Sequence, residues 1–384
     1  MHYSYPEIRV GAAWWRRSPE ASHTGDVTSS IFQPSGDIAS RANRVNGAPL
    51  AFDYDDISLV PRIVSTLAHR LDAEPAVNFG PVRLALPIIG APMPDVCGAE
   101  MCRALTAVGA AGLLHRFQPI AAQVESARGA NVVTTDASQS SPDLGAAVGV
   151  TGDFHERFSA LYEAGVRVFC LDTANGAHVQ VKAAMNWCRA QARDIFVVAG
   201  NVASAEAFSW LQDQGADAIR VGIAGGSVCE TRTETGVFVP TPYAVWECAQ
   251  VKHHALVVGD SGVRTPADFC KLLALGADAV MLGSALAGTR EAPGRVILVD
   301  RNKYKIMRGA ASFSVQQEFG GQQPEYVEGA ETMVPYKGSV VDVTSRYLAG
   351  LRSSMSYMNA RTLDEYRTNV DFVFHHYRAG ARGV

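Results

Sequence analysis

The sequence predicts an α/β chain folded as a (β/α)8 barrel with a C-terminal flap. Three observations carry the prediction. Eight short apolar runs recur between residues 86 and 288, each is followed by a stretch with helical spacing of apolar positions, and polar residues gather just after the runs. Strands that are apolar along their whole length belong in a parallel sheet covered by helices. Eight such units within about two hundred residues favour a closed barrel over an open doubly wound sheet.

The first run, 86–93 (LPIIGAPM), ends on Gly, Ala and Pro, and the second, 110–117 (AAGLLHRF), on charged and aromatic residues. The third, 144–150 (LGAAVGV), is built of small residues. The fourth, 166–174 (VRVFCLDTA), leads to Asp172 and Asn175, and the fifth, 195–202 (IFVVAGNV), to Asn201. The sixth, 218–226 (AIRVGIAGG), opens a Gly-rich turn before Ser227 and Cys229. The seventh, 255–262 (ALVVGDSG), carries Asp260 and Ser261, and the eighth, 279–288 (AVMLGSALAG), carries Gly283 and Ser284. Each polar residue alone is an ordinary turn former. Together they mark the C-terminal rim, where barrels of this class hold their active sites.

The flanks read differently. Residues 1–47 are rich in Ser, Arg, Gly and Asp without steady periodicity, which predicts an N-terminal extension, an arm for assembly with Trp14 and Trp15 as anchors. The catalytic barrel domain is then 48–384. Residues 300–345 lose the strand–helix rhythm, and a long irregular insertion on a catalytic rim is typically a flap, here about 305–340. Residues 344–380 read as closing helices.

With 47% hydrophobic and 19% charged residues the chain can bury a large core, and a net charge of −4 leaves no basic footprint for nucleic acid. Small anions remain admissible, because loop amides and helix starts bind phosphate without a basic surface. Seven cysteines without a short-spaced framework read as reduced thiols in a cytoplasmic protein. The N-terminus lacks the apolar core of a signal peptide, and no run is long enough to predict a membrane span.

The chemistry concentrates in 220–241 (RVGIAGGSVCETRTETGVFVPT), where glycines let backbone approach a ligand and Cys229 stands in the loop as a nucleophile. Cys97, Cys102, Cys170, Cys188, Cys248 and Cys270 lie in strand and helix patterns and read as small core hydrophobes. No Cys/His spacing suits zinc, and His253 and His254 read as a solvated pair.

The segment GGSVCETRTETG resembles the catalytic cysteine loop of the IMP dehydrogenase/GMP reductase family. So, in family order, do FDYDDISLVPR (52–62), LPIIGAPM, LDTANGAHV (171–179), VVAGNVAS (197–204), GDSGVRTPADF (259–269), VMLGSALAGTREAPG (280–294), VEGAETMVPYKGSV (327–340) and GLRSSMSYMNA (350–360). The resemblance covers roughly residues 50–375. It implies a thioimidate at purine C2 on Cys229, with Thr231 paired to Glu328. Phosphate contacts are implied at Ser227, Gly262, Gly283 and Ser284, and a ribose contact at Asp260. It also implies base contacts along Gly309, Ala310 and Ser312, and a nicotinamide side at Asp172, Asn175 and Gly176. A monovalent cation, K+ in this family, is implied at the Gly222 and Cys229 carbonyls, although Ala224 replaces a usual glycine there. A homotetramer is carried over in the same way.

Within the family, dehydrogenases hydrolyse the thioimidate with a flap arginine and commonly insert regulatory domains after the second strand. Residues 309–336 hold no Arg or Lys, and 118–143 is too short for an insert. The resemblance therefore implies NADPH-dependent reductive deamination of a guanine-type nucleotide, with NAD-dependent IMP dehydrogenation as the alternative. A catalytically silent barrel that senses nucleotides is the alternative of another class. Departures at Pro94–Asp95, Met307, Ala310 and 325–327 surround the base and cofactor positions. They imply either GMP or a 7-deazaguanine nucleotide, as in nucleoside antibiotic pathways, as substrate.

Overall fold

All eight apolar runs become strands of one closed, parallel barrel in the computed structural model, which describes residues 44–45, 48–62, 64–130, 145–320 and 327–375. They are β1 (Ile88–Gly90), β2 (Ala111–Leu114), β3 (Gly145–Val148), β4 (Val168–Asp172), β5 (Phe196–Val202), β6 (Ala218–Val221), β7 (Leu256–Asp260) and β8 (Ala279–Leu282). The pairing of β8 with β1 closes the ring. Helices α1 (Ala99–Ala107), α2 (Ile120–Ala130), α3 (Phe154–Glu163), α4 (Val179–Gln191), α5 (Ala205–Asp213), α6 (Thr241–Gln250), α7 (Pro266–Ala274) and α8 (Val340–Tyr357) follow the strands in turn.

Alternation along the strands sorts the core into two layers. Val168, Cys170, Val198, Val258 and Met281 fill the barrel interior, while Phe169, Leu171, Val197, Val257 and Leu282 face the helices. Complete burial of each such side chain contributes about 1.5–3 kcal/mol. A hairpin, Val77–Phe79 with Val82–Leu84, joins the interior layer. Phe79 packs 5.1 Å from Phe196, the first residue of β5, so the hairpin plugs the N-terminal mouth and leaves the C-terminal rim for chemistry. The six cysteines other than Cys229 are buried, and His253 and His254 are exposed.

Helix starts follow capping chemistry. Ser204 accepts from the Ala207 amide at α5, and Thr265 forms a reciprocal capping box with Asp268 at α7.

The flap is more regular than the sequence implies. Ile297–Val299, Asn302–Arg308 and Glu331–Pro335 form an antiparallel sheet, and Phe313–Gly320 is a helix. The period-two signal was present, since Lys305 and Met307 are buried and Ile306 between them is exposed, but it is only a few residues long. The closing segment also differs. After α8 and a helix at Leu363–Asn369 the chain extends as Phe372–Phe374 and pairs with Ile57–Leu59. Phe372 and Phe374 pack tilted and edge-on against Phe52, an aromatic cluster that favours the strand.

The chain falls into two units, Met1–Leu50 and Ala51–Val384. In the first, Arg44–Val45 pairs with Ala48–Pro49; Trp14 and Trp15 lie outside the described residues. No described helix is long and apolar enough to cross a membrane.

Candidate active site

A cavity of about 330 Å³ opens at the C-terminal rim. That volume lies at the small end of the range for pockets that enclose a small molecule, roughly 300–1,000 Å³.

Cys229 stands on its wall, in the loop between β6 and a helical turn at Thr231–Thr235. Its Sγ lies 3.3 Å from Thr231 Oγ1, and that hydroxyl lies 2.7 Å from Glu328 Oε2. A carboxylate accepts only, so the Thr231 proton points to Glu328 and its oxygen is left to receive the thiol proton. The three groups thus form a directed path from sulfur to carboxylate.

Glu328 lies 97 residues from Thr231 in sequence, and backbone bonds bring it there. Glu230 N donates to Glu328 O at 2.8 Å, and Ala330 N donates to Val228 O at 2.9 Å, which ties 328–330 to the cysteine loop. On the other side Gly309 N donates to Ala330 O at 3.0 Å and Glu328 N to Ala311 O at 3.3 Å. Gly329 forms isolated β-bridges on both sides, to Cys229 and to Ser312. Gly309 makes the fit possible, because a Cβ there would sit 2.7 Å from the Val228 carbonyl oxygen.

An ionic network crosses the floor. Arg220 of β6 donates from Nη1 to Asp172 of β4 at 2.7 Å, and from Nε and Nη2 to Asp260 Oδ2 of β7 at 3.1 and 2.9 Å. Asn201 Nδ2 adds a bond to the same Asp260 oxygen at 2.7 Å, and Arg116 Nε reaches Asp172 at 3.2 Å. Burial pushes the Asp172 carboxyl up, but Arg220 and Arg116 outweigh it and hold the group below the usual carboxylate range. Among the described residues none bonds Asp260 Oδ1, while Oδ2 is taken by Arg220 and Asn201.

Ser227, Asp260, Gly262, Gly283, Ser284, Gly309 and Ala310 all line this cavity, as do Asp172 and Gly222. Ser312, Asn175 and Gly176 stand outside this lining. Among the described residues the Ser312 hydroxyl is buried without a hydrogen-bond partner, and Ser312 N donates to Gly309 O. Exposed Asn175 caps its own turn by accepting from Ala177 N, and Gly176 packs against the Gly200 backbone. At the expected cation loop, the Gly222 carbonyl accepts the Asn201 amide at 2.8 Å. A carbonyl oxygen has two lone pairs, so this bond occupies one of the two positions at which the Gly222 oxygen can bind.

Sequence reasoning passed over Arg220, Arg116 and Phe117, all on the cavity wall. Arg116 lies 4.6 Å over the Phe117 ring. An alternative signal existed for Arg220 alone: a charged residue inside an apolar strand run asks for a buried partner.

Residues 51–382 match the family described as IMP dehydrogenase / GMP reductase domain. The chain is 39% identical over 241 residues to an inosine-5'-monophosphate dehydrogenase of Halalkalibacterium halodurans, covering 60% of this chain and 49% of that protein. It is 38% identical over 247 residues to a GMP reductase of Leishmania donovani, again covering 60% and 49%. The chain spans about half the length of the curated relatives it matches. Among solved structures, a variant GMP reductase of Trypanosoma brucei in complex with guanosine 5'-monophosphate superposes with a TM-score of 0.82 at 26% identity, over 88% of this chain and 99% of that one.

Proposed function

Because the chain belongs to the IMP dehydrogenase / GMP reductase domain family, we propose that it catalyses NADPH-dependent reductive deamination at C2 of a guanine-type nucleotide. The observation that carries this reading is the hydrogen-bonded path Cys229–Thr231–Glu328.

The nucleotide would lie with its phosphate at the amides of Gly262, Gly283 and Ser284 and the hydroxyls of Ser227 and Ser284. Asp260 Oδ1 takes the ribose hydroxyls, since Oδ2 is committed to Arg220 and Asn201. Cys229 sulfur attacks C2 while its proton passes to Thr231 and the Thr231 proton to Glu328. Glu328 then returns a proton through the same hydroxyl to the departing amine, and ammonia leaves a thioimidate on Cys229. When bound, NADPH supplies the hydride that replaces sulfur at C2. In balance, GMP, NADPH and two protons give IMP, NADP+ and ammonium.

The residues that would hold the nicotinamide are Arg116 and Phe117 after β2 and Asp172 at the end of β4. β2 and β6 stand on opposite sides of the eight-stranded ring, so an aromatic face and a fixed ion pair lie across the cavity from Cys229. That arrangement fits a cofactor approaching from the side opposite the thiol.

Support for reductase over dehydrogenase chemistry comes from the flap. Residues 309–336 hold no Arg or Lys to activate a hydrolytic water. The next cation, Lys337, is bound to the carbonyls of Ser284 and Ala285, and burial lowers its pKa to about 8.

A second reading concerns the base. Half-buried Ala310 and Ala311 follow Gly309 on the cavity wall, a stretch without bulky side chains. It supports space for a substituent on C7 of a 7-deazaguanine nucleotide. Incubation of a panel of guanine-type nucleotides with NADPH tests both readings. Ammonium should appear in step with NADPH consumption, and its absence throughout the panel would overturn the reductase.

A further inference from the structure

Asp95 lies in the loop after β1, outside the lining of the cavity, and its side chain is only 9% exposed. Both of its oxygens are held by one residue of the flap. Oδ2 accepts from the backbone N–H of Arg308 at 2.9 Å and from Arg308 Nε at 2.8 Å, and Oδ1 accepts from Nη2 at 2.9 Å. A fork of this kind fixes direction as well as distance, because two parallel charge-assisted bonds permit one orientation.

The position of Arg308 gives the clasp its meaning. Arg308 is the last residue of its flap strand, in register with Glu331, the first residue of the strand it pairs with. Beyond that pair the two chains part. One becomes Gly309–Ala311 on the cavity wall, and the other runs back through Ala330 and Gly329 to Glu328. They stay joined by Gly309 N donating to Ala330 O at 3.0 Å, and Glu328 O receives Glu230 N at 2.8 Å. Asp95 therefore pins the point from which both arms enter the site. Its own loop supplies Ala91, Pro92 and Met93 to the cavity wall.

The surroundings leave this job to Asp95. The remaining Arg308 nitrogen, Nη1, bonds Glu318, whose side chain is 52% exposed and therefore screened. His115 nearby has its pKa pushed down to about 4, chiefly by burial, so at neutral pH it brings no competing positive charge to Asp95.

We propose that Asp95 is a positioning residue for the proton path: by clasping Arg308 it sets the flap segment that keeps Glu328 on Thr231. This rests on the reading of Cys229–Thr231–Glu328 as the path that delivers a proton to the leaving amine.

The test compares Asp95→Asn, Asp95→Glu and Arg308→Lys with the wild type in ammonia release from GMP and NADPH. Asp95→Asn should lower kcat about tenfold while KM for GMP stays within about twofold, since transition-state geometry is lost and ground-state binding is not. Asp95→Glu should recover part of the loss, and Arg308→Lys, which keeps the charge without the fork, should fall between. In a Glu328→Gln background the further effect of Asp95→Asn should shrink to less than about twofold, because the path is already broken. A merely structural role predicts multiplying losses there, or a raised KM, and either result overturns the proposal, as does an unchanged kcat. If Asp95→Asn does not fold, the Arg308→Lys arm of the same cycle decides by the same criteria. If the wild type releases no ammonia from any guanine nucleotide, the proton-path reading itself falls and takes this one with it.

Discussion

Arg220 reaches Asp172 across an intervening strand, over the bare side of Gly200. In the barrel register Gly200 stands beside Asp172 on one side and beside Arg220 on the other. A Cβ at Gly200 would lie 2.7 Å from the Arg220 Cβ, so the absence of a side chain there leaves the guanidinium its route. The 2.7 Å ion pair is a property of three strands together.

That pair makes stability depend on acid. Asp172 is held below the usual carboxylate range, so its stabilising contribution is full above the unfolded value, about 3.9, and is lost as pH falls through the lower folded value. Melting temperatures of wild type and Asp172→Asn measured between about pH 7 and pH 3 should differ most near neutrality and converge in acid. A gap that widens on acidification would contradict the assignment.

Cys229→Ser should abolish turnover and leave nucleotide binding nearly intact. The hydroxyl preserves shape but is far less ionised, so the adduct does not form. A residual rate above about one hundredth of wild type would exclude Cys229 as the nucleophile.

Glu328→Gln keeps the 2.7 Å partner of Thr231 in size but removes the proton acceptor. Ammonia release should slow by about a hundredfold, within the usual range for a lost acid–base group, with little change in GMP affinity. An unchanged kcat with a raised KM would mean that Glu328 only binds.

Supplied with IMP and NAD, the protein should form little xanthosine monophosphate, because residues 309–336 offer no cationic side chain to a hydrolytic water. Sustained NADH production with accumulating xanthosine monophosphate would favour the dehydrogenase instead.

A 7-cyano-7-deazaguanine monophosphate should exceed GMP in kcat/KM, because Ala310 leaves the cavity wall without bulk. Accommodating such a group in a fitted pocket is worth about 10–200-fold in specificity. Ala310→Met should reverse the preference. Preference for GMP, with a ratio that Ala310→Met leaves unaltered, would establish an ordinary substrate.

The barrel was legible because continuous apolar runs leave a parallel strand no other reading, and Val168–Asp172 or Leu256–Asp260 carry that signal alone. Cys229 was legible from its glycine-rich loop. Glu328 was not, except through resemblance, since nothing local announces a bond to a residue 97 positions away. Arg220 escaped because its partners stand on β4 and β7, and strand order is read only after the ring closes. The flap sheet escaped because its alternation lasts one short strand, and Phe372–Phe374 because its partner strand lies at the opposite end of the domain.

The double-edged backbone attachment of 328–330 closes the chain from Cys229 to Glu328 into a circuit that includes β7, β8 and the flap sheet. A disturbance anywhere along that circuit can reach the contact between sulfur and the Thr231 hydroxyl. Six of the seven cysteines are buried and Cys229 is not. The rate at which a small alkylating reagent labels this protein is thus a strain gauge for the last two strands of its barrel and the flap, readable without substrate.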